Sequence, residues 1–309
     1  MKTEIILRSP ATIANFGPGF DTFAVALASP FDLIRVRRLD LGAEIRIRVT
    51  DGRFSLPTQP EDNTAGLAAI HFFRRTGAAG GAEIEIIKRM PTGAGLGSSA
   101  ASAVAAVHGL NEIYQTRLAP EEIVGLASLG EAASGGTPHA DNVAACGLGG
   151  FVFVASHQPL RVEKIAVPPL PIVVRVRPKS QTTTRGLIPG QFPLSQVKDQ
   201  MAGCAALIHA LHSGDARKIG DAVNRDHISE PVRSRSIPGY EELKRRALDA
   251  GACGFNISGG GSSVFAICAP ETAEAVAAVM RDFRRADEPE PEVIVTQSSN
   301  QGVRETYEL

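Results

Sequence analysis

Between Met90 and Ala106 the chain reads MPTGAGLGSSAASAVAA, with Gly93, Gly95 and Gly97 at every second position and Ser98 and Ser99 directly behind them. Glycines at that spacing strip one wall of a turn of side chains and let backbone N–H groups point into a single cavity. Ser98 and Ser99 fall where N-caps belong and the alanines beyond them are strong helix formers, so the run predicts a turn that opens a helix. A helix start carries unpaired N–H groups and the positive end of the dipole, and the chemistry it suits is phosphate binding. Adjacent hydroxyls at that point can serve a phosphate or its metal. A Walker A loop would place lysine after the last glycine, and a dinucleotide fingerprint would need a third glycine at 98; the sequence has neither. The same glycines also suit a plain strand-to-helix turn, so both uses stay open at this point.

A second group lies in GEAASGGTPHADNV, from Gly130 to Val143. Glu131 closes a predicted helix that opens at Pro120, and a carboxylate set against the dipole there calls for a cation. His139, Asp141 and Asn142 bring imidazole, carboxylate and amide within a few residues, a set able to take a metal, an amine or a hydroxyl, or to act as caps and turn formers. Near the start, Asn15 and Asp21 flank Gly17-Pro18-Gly19 in a loop too apolar to be a solvated linker; they face a polar ligand or make Asx turns. Farther on, Arg185 ends a polar stretch, Arg233 lies in the irregular run SEPVRSRSIPGY, and a second glycine-rich loop runs from Gly251 to Ser263, through Gly259-Gly260-Gly261.

These groups need elements to carry them. Alternation predicts strands over 3–8, 31–37, 43–49 and 82–88, and helical periodicity predicts helices over 65–76, from 98 onward, and over 120–133. Asn63 or Thr64 caps the first of these. From Phe151 the text changes: an apolar run, a turn at 156–159 and a break at 168–171 put the domain boundary near 160, giving domains 1–160 and 161–309. The second half reads strand 172–176, helices 193–212, 214–224 and 241–250, strand 264–268, helix 271–284 and strand 292–297, an order that suits a ferredoxin-like α+β layer.

Composition narrows the function classes. The 309 residues are 43% hydrophobic and 21% charged, with a net charge of -1 and no run of like charge to hold a nucleic acid. No stretch reaches the length of a membrane span and the N-terminus lacks a signal-peptide core, so a cytoplasmic protein is expected. Cys146, Cys204, Cys253 and Cys268 lack paired spacing, which argues for reduced core thiols rather than zinc or disulfides.

Three separated motifs, PATIANFGPGFD at 10–21, PTGAGLGSSAAS at 91–102 and GFNISGGGSSVFAI at 254–267, resemble in type and order those of the small-molecule kinases that include galactokinase, homoserine kinase, mevalonate kinase and phosphomevalonate kinase. PHADNVA at 138–144, Arg185 before Gly186-Leu187-Ile188-Pro189, and EPVRSRSIPGYEEL at 230–243 are similar to the homoserine kinase branch. The resemblance implies an α+β, two-domain small-molecule kinase fold: an N-terminal ribosomal-S5-like α/β domain with a left-handed βαβ crossover, a C-terminal ferredoxin-like domain, and the active site between them. It implies transfer of the γ-phosphoryl group of ATP to the side-chain hydroxyl of L-homoserine, a step toward threonine, in a homodimer. By motif position, Pro91, Gly93, Ala94, Gly95, Leu96, Gly97, Ser98 and Ser99 would cradle the nucleotide phosphates, with Gly259 and Gly260 from the third motif and Asn63 near the adenine. Ser99 and Glu131 would hold Mg²⁺. Asn15, Asp21, Asp141, Asn142, Arg185 and Arg233 would surround the amino acid, the carboxylates for its ammonium group and the guanidinium groups for its carboxylate. Asn142 would orient the hydroxyl, and Asp141 would anchor the amine rather than act as base. A same-fold kinase for mevalonate or pantoate, and a non-catalytic nucleotide-binding relative, are the rival readings. Gln181 stands where threonine is frequent, Cys146 stands where proline is frequent, and the third motif lacks its usual proline, which predicts a more mobile loop.

Overall fold

The computed structural model describes residues 2–40, 42–50, 55–135, 139–177, 184–284 and 290–307. Gln181 falls outside them, as does the side chain of Arg185, whose backbone lies in a short 3-10 turn over Thr184–Leu187. Two sheets divide the strands.

The first sheet is built on β1 (Glu4–Ala14) and β2 (Phe23–Leu39), long antiparallel partners. Both outrun the sequence expectation. Pro10, expected to end the first strand, instead sits at a shift of register between Pro10 and Thr12. A residue without an N–H is tolerated at such an irregularity. Thr12 N turns away from the sheet and donates to Leu96 O at 3.1 Å, which draws the first and second motifs together. β3 (Ile45–Thr50) is followed by α1 (Thr64–Thr76), which crosses to β4 (Gly81–Ile87), and β3 and β4 pair in parallel. Then come α2 (Ser98–Tyr114), α3 (Pro120–Gly130), the single turn α4 (Ala132–Gly135) and α5 (Asp141–Leu148). The sequence predicts no element at the last of these. A hairpin of β5 (Phe151–His157) and β6 (Leu160–Ile165) returns along β2, so the first sheet continues through Ile165.

The second sheet starts at β7 (Pro171–Val176). After it come α6 (Leu194–Ser213), α7 (Ala216–Val223), α8 (Glu230–Arg233) and α9 (Tyr240–Asp249). Then follow β8 (Ala252–Ile257), β9 (Val264–Cys268), α10 (Ala273–Asp282) and β10 (Glu292–Gln297). Its order is β10-β7-β9-β8 with every neighbour antiparallel, the ferredoxin-like arrangement expected. β8 was read as part of a glycine loop. Gly254 lies inside the strand because the start of β8 runs against α7: a Cβ there would stand 2.4 Å from Gly220 O.

Alternation along this sheet decides where the core goes. Ile172, Val174, Phe265 and Ile267 face α6, α7 and the first half and join the main core, while Val173, Val264, Ala266 and Cys268 face α9 and α10 and form a smaller one. Phe16, from the first motif, stacks on Phe265 with ring centroids 5.4 Å apart and planes 7° apart, and meets Phe151 edge-on at 6.0 Å. One apolar core therefore runs through both halves. A two-residue strand, β11 (Arg304–Glu305), then leaves the second half and closes on β1 as the outer strand of the first sheet.

Candidate active site

The second motif folds as a turn and a helix start, as its residue types demand. Gly93, Gly95 and Gly97 all take left-handed backbone angles, φ 68°, 75° and 67°. Gly97 is the N-cap of α2, and a Cβ on it would stand 2.0 Å from Thr12 Oγ1. Only a residue without a side chain fits there. Gly93, Gly95, Leu96, Gly97, Ser98 and Ser99 line a cavity of about 440 Å³, which Asn63, Thr64, Ser134 and Asn142 complete. Among the described residues Pro91 and Ala94 stand behind the lining, Ala94 fully buried. Asn63 is the N-cap of α1, its Oδ1 accepting from Ala65 N at 3.0 Å and Gly66 N at 3.3 Å while its Nδ2 donates to Pro57 O at 2.8 Å. Its capping duty thus holds it at the cavity wall.

Ser99 Oγ donates to Glu131 Oε2 at 2.9 Å. Glu131 caps the C-terminal end of α3 at 7% exposure, where the dipole opposes its charge, and among the described residues its Oε1 has no hydrogen-bond partner. Burial pushes its carboxyl up to about 7; the Ser99 hydroxyl pulls it down, the Asp141 carboxylate pushes it up and Lys88 pulls it down. A buried carboxylate oxygen with no donor, beside a hydroxyl and a phosphate-type helix start, is a fit for a hard divalent cation. The described residues hold no cluster of three His, Cys, Asp or Glu that could bind a metal by themselves.

Sequence reasoning missed the support behind this loop. Lys88, 2% exposed, donates from Nζ to Asp32 Oδ2 at 2.5 Å, Ser98 Oγ at 2.6 Å, Ser98 O at 2.7 Å and Ser102 Oγ at 2.9 Å. Asp32 Oδ1 accepts from Arg89 N at 2.8 Å and Met90 N at 2.9 Å. The pair thus pins the entry of the loop at 89–90 and its exit at 98 from one point. The signal was present: Lys88 shares strand parity with Ile84 and Ile86, and Asp32 with Ile34 and Val36, which are all core residues.

The first motif supplies the other side. Asn15 and Asp21 both take positive φ, 65° and 52°, and Asn15 Oδ1 accepts from Asp21 N at 3.0 Å, a bond that closes the whole loop over six residues rather than the two of an Asx turn. Asn15 Nδ2 donates to Gly259 O at 3.0 Å, and Arg233 Nη1 donates to the same oxygen at 2.8 Å. Arg233, 4% exposed, also lies 5.2 Å from the centroid of the Phe20 ring. Gly259 therefore spends its backbone on the first loop and on Arg233, with its N–H donating to Ala14 O at 3.1 Å, and Gly260 is exposed beside it. In place of the family's proline, the third-motif loop is tied by Ser258 N to Ser263 O at 2.9 Å and by Ser258 Oγ to Gly95 O at 2.5 Å.

Asp141, 3% exposed, opens α5, and its Oδ1 accepts from Asn142 N at 2.7 Å. Asn142 Oδ1 accepts from Thr12 Oγ1 at 2.7 Å and lies at the Gly97 wall. His139 Nδ1 stands 3.9 Å from Asp21 Oδ1, which joins the third group to the first loop. Ser99, Asn63, Asn142 and the glycine turn thus line one cavity, and Glu131 joins them through Ser99. Asn15, Asp21, Arg233 and Gly259 gather beside it, and Thr12 with Asn142 links the two. The four cysteines are free thiols, and buried Cys146 donates from Sγ to Pro10 O at 3.3 Å.

Comparison with known proteins places this geometry. Residues 63–150 match the model of the GHMP kinases N terminal domain and residues 207–286 that of the GHMP kinases C terminal. The homoserine kinase of Methanopyrus kandleri is 39% identical over 284 residues, spanning 90% of this chain and 91% of that relative. The homoserine kinase of Halobacterium salinarum is 38% identical over 279 residues, 90% of this chain and 89% of its own length. The crystal structure of homoserine kinase from Cytophaga hutchinsonii superposes with a TM-score of 0.89 at 37% identity, covering 99% of this chain and 98% of that one. A mevalonate kinase structure at 14% identity and a TM-score of 0.72 shares the fold.

Proposed function

The chain belongs to the GHMP kinases and, within them, to the homoserine kinase family; on that premise we propose that its cleft transfers the γ-phosphoryl group of ATP to the side-chain hydroxyl of L-homoserine, with Ser99 and Glu131 holding Mg²⁺. The observation that carries this reading is the Ser99–Glu131 contact at 2.9 Å, set at the start of α2 with a second, donorless carboxylate oxygen beside it.

Phosphoryl transfer asks for positioning and charge neutralisation more than for covalent help. The N–H groups of the Gly93–Ser99 turn and the positive end of α2 receive the phosphates. When bound, Mg²⁺ neutralises phosphate charge that the turn alone leaves uncompensated. The lysine pinned behind the turn keeps it in shape before nucleotide arrives. Asn63, in the wall of the cavity, would lie by the adenine.

The acceptor occupies the neighbouring group. Arg233 and Arg185 take the carboxylate of the amino acid, and Asp21 and Asp141 take its ammonium group. With its oxygen held by Thr12, Asn142 offers a donor to the reacting hydroxyl. Mevalonate and pantoate carry no amine, so two carboxylates at the acceptor would lack a partner with either. The resemblance also supports a homodimer in the cytoplasm, and among the described residues no helix is long and apolar enough to cross a membrane.

A coupled assay with ATP, Mg²⁺ and a panel of homoserine, mevalonate, pantoate and shikimate tests the proposal. Turnover with homoserine well above the others is expected, and a preference for an acceptor without an amine overturns it.

A further inference from the structure

Arg233 rides on α8, a helix of one turn, and what fixes that turn lies outside the cleft. Asp226, 5% exposed, accepts from Ile228 N at 3.0 Å, Ser229 N at 2.9 Å, Ser229 Oγ at 2.5 Å and Glu230 N at 3.0 Å, so one carboxylate closes the start of α8. From the other flank Glu230 accepts from Tyr240 Oη at 2.7 Å, from Lys244 Nζ and from Asn256 Nδ2 at 3.2 Å. Burial, with the Glu230 carboxylate adjacent, pushes the Tyr240 phenol up and keeps it a donor.

Gln200 joins this turn to the first motif. Its Nε2 donates to Pro18 O at 2.5 Å and reaches Asp226 Oδ1 at 3.4 Å, while its Oε1 accepts from His227 N at 2.6 Å. Pro18 stands between Asn15 and Asp21, and the Asp226 turn leads into Arg233. One amide thus spans both sides of the acceptor pocket from beneath. Packing alone does not call for it. α6 buries Gln200, Gly203, Leu207, Ala210 and Leu211, so Gln200 is the one buried side chain of that helix with a hydrogen-bonding end. A buried amide costs desolvation and rotamer freedom that an apolar residue would not, and it is stable here because backbone groups of two separate segments satisfy both of its ends.

We propose that Gln200, acting with Asp226, is a positioning residue that sets the distance between the Asn15–Asp21 loop and Arg233, and through it the fit of the pocket to the carboxylate of the acceptor. This rests on the assignment of Arg233 to that carboxylate. The two segments meet again at Gly259 O, shared by Asn15 and Arg233, so a shift of either one moves the guanidinium relative to the loop. Gln200 touches no reacting atom. Its effect is carried entirely by the groups it ties.

The test uses the full chain and the variants Gln200→Ala, Gln200→Met and Asp226→Asn. KM for homoserine and for ATP comes from steady-state kinetics. Kd for homoserine and for 3-aminopropan-1-ol, which keeps the amine and hydroxyl but lacks the carboxylate, comes from titration in the presence of a non-hydrolysable ATP analogue. Gln200→Met keeps the length and apolar stem of the side chain but takes the acceptor from His227 N and a donor from Pro18 O, and thermal melting checks that each variant is folded; if Gln200→Ala does not fold, the other two decide. For the Gln200 variants, loss of hydrogen bonds worth about 1.5 kcal/mol predicts that KM and Kd for homoserine rise about tenfold. KM for ATP and Kd for 3-aminopropan-1-ol should stay within about twofold. Equal losses for both acceptor ligands, or a fall in kcat with KM for homoserine unchanged, overturn the positioning role. A wild-type protein that turns over homoserine while the folded variants match it also overturns the positioning role and leaves the function standing. A wild type that binds no homoserine at all sinks the function itself.

Discussion

Lys88 Nζ and Asp32 Oδ2 form a buried ion pair at 2.5 Å, directly beneath the turn proposed to receive phosphate. The lysine is 2% exposed and the aspartate 0%, so removing one partner strands the other charge in the core. Lys88→Met should therefore cost about 3 kcal/mol or more of folding stability. It should also raise the KM for ATP more than that for homoserine, because the turn loses its tie at Ser98. Urea unfolding and steady-state kinetics check the two parts. Stability within error of wild type would show that the pair does not organise the loop.

Glu131 gives a pH dependence with a definite sign. Its folded carboxyl is raised from 4.5 to about 7 chiefly by burial, so the folded state holds this proton more tightly than the unfolded state. The stability it contributes without metal is complete below the ordinary carboxyl range and is lost as pH rises toward 7. Metal binding needs the deprotonated form, so the affinity for Mg²⁺ with an ATP analogue should climb through that same window and level off above it. Glu131→Gln should remove the climb, keep the fold and lose most turnover. Isothermal titration at several pH values reads the first effect, and wild-type rates from Glu131→Gln at saturating Mg²⁺ would remove its metal role.

Arg233→Ala should raise the KM for homoserine much more than the KM for ATP. A charge-assisted carboxylate contact is worth about 1.5–3 kcal/mol, or roughly ten- to hundredfold in affinity. Equal rises in both constants would assign Arg233 to the nucleotide.

Asp141→Asn separates an anchor from a base. If Asp141 holds the ammonium group, the variant should bind homoserine poorly and lose less with 4-hydroxybutyrate, which lacks the amine. A loose transition state needs little deprotonation of the hydroxyl before the new bond forms. Steady-state kinetics with both acceptors distinguishes the cases, since loss of a base would lower kcat by about a hundredfold or more at unchanged KM.

Residue types carried the local chemistry well and long-range pairing poorly. The Gly93–Ser99 turn and the cap at Asn63 were legible because they depend on residues a few positions apart. The ferredoxin-like order of the second half followed from the same reading. β8 escaped because Gly251 at its entry and Gly254 and Asn256 within it are turn formers by composition, while the close contact of Gly254 with Gly220 of α7 is what places a glycine inside the strand. The extension of β1 through Pro10 escaped for a similar reason, since its irregularity is resolved by Leu96, far along the chain. At the candidate site, residue types pointed to Ser99, Glu131 and Asp141 and the family resemblance to Arg233, but Gln200 and Asp226 are tied to it from positions whose use depends on segments brought together by the fold.

The return of residues 298–306 to the first sheet bears on how the chain is made. Ser299 N donates to Ala26 O at 2.8 Å, Gly150 N to Ser299 O at 2.7 Å, Val303 N to Cys146 O at 2.7 Å and Thr306 N to Ile6 O at 2.9 Å. During synthesis the earliest strands emerge with these acceptors and donors unmatched, and they stay so until the whole ferredoxin-like half has left the ribosome. The outer edge of β1 is an open template in that interval, exposed to pairing with the wrong strand. Contacts so distant in sequence also slow the final closure. Completion of the first half is thus a late event in the life of the nascent chain, timed by the arrival of a segment encoded almost three hundred codons downstream.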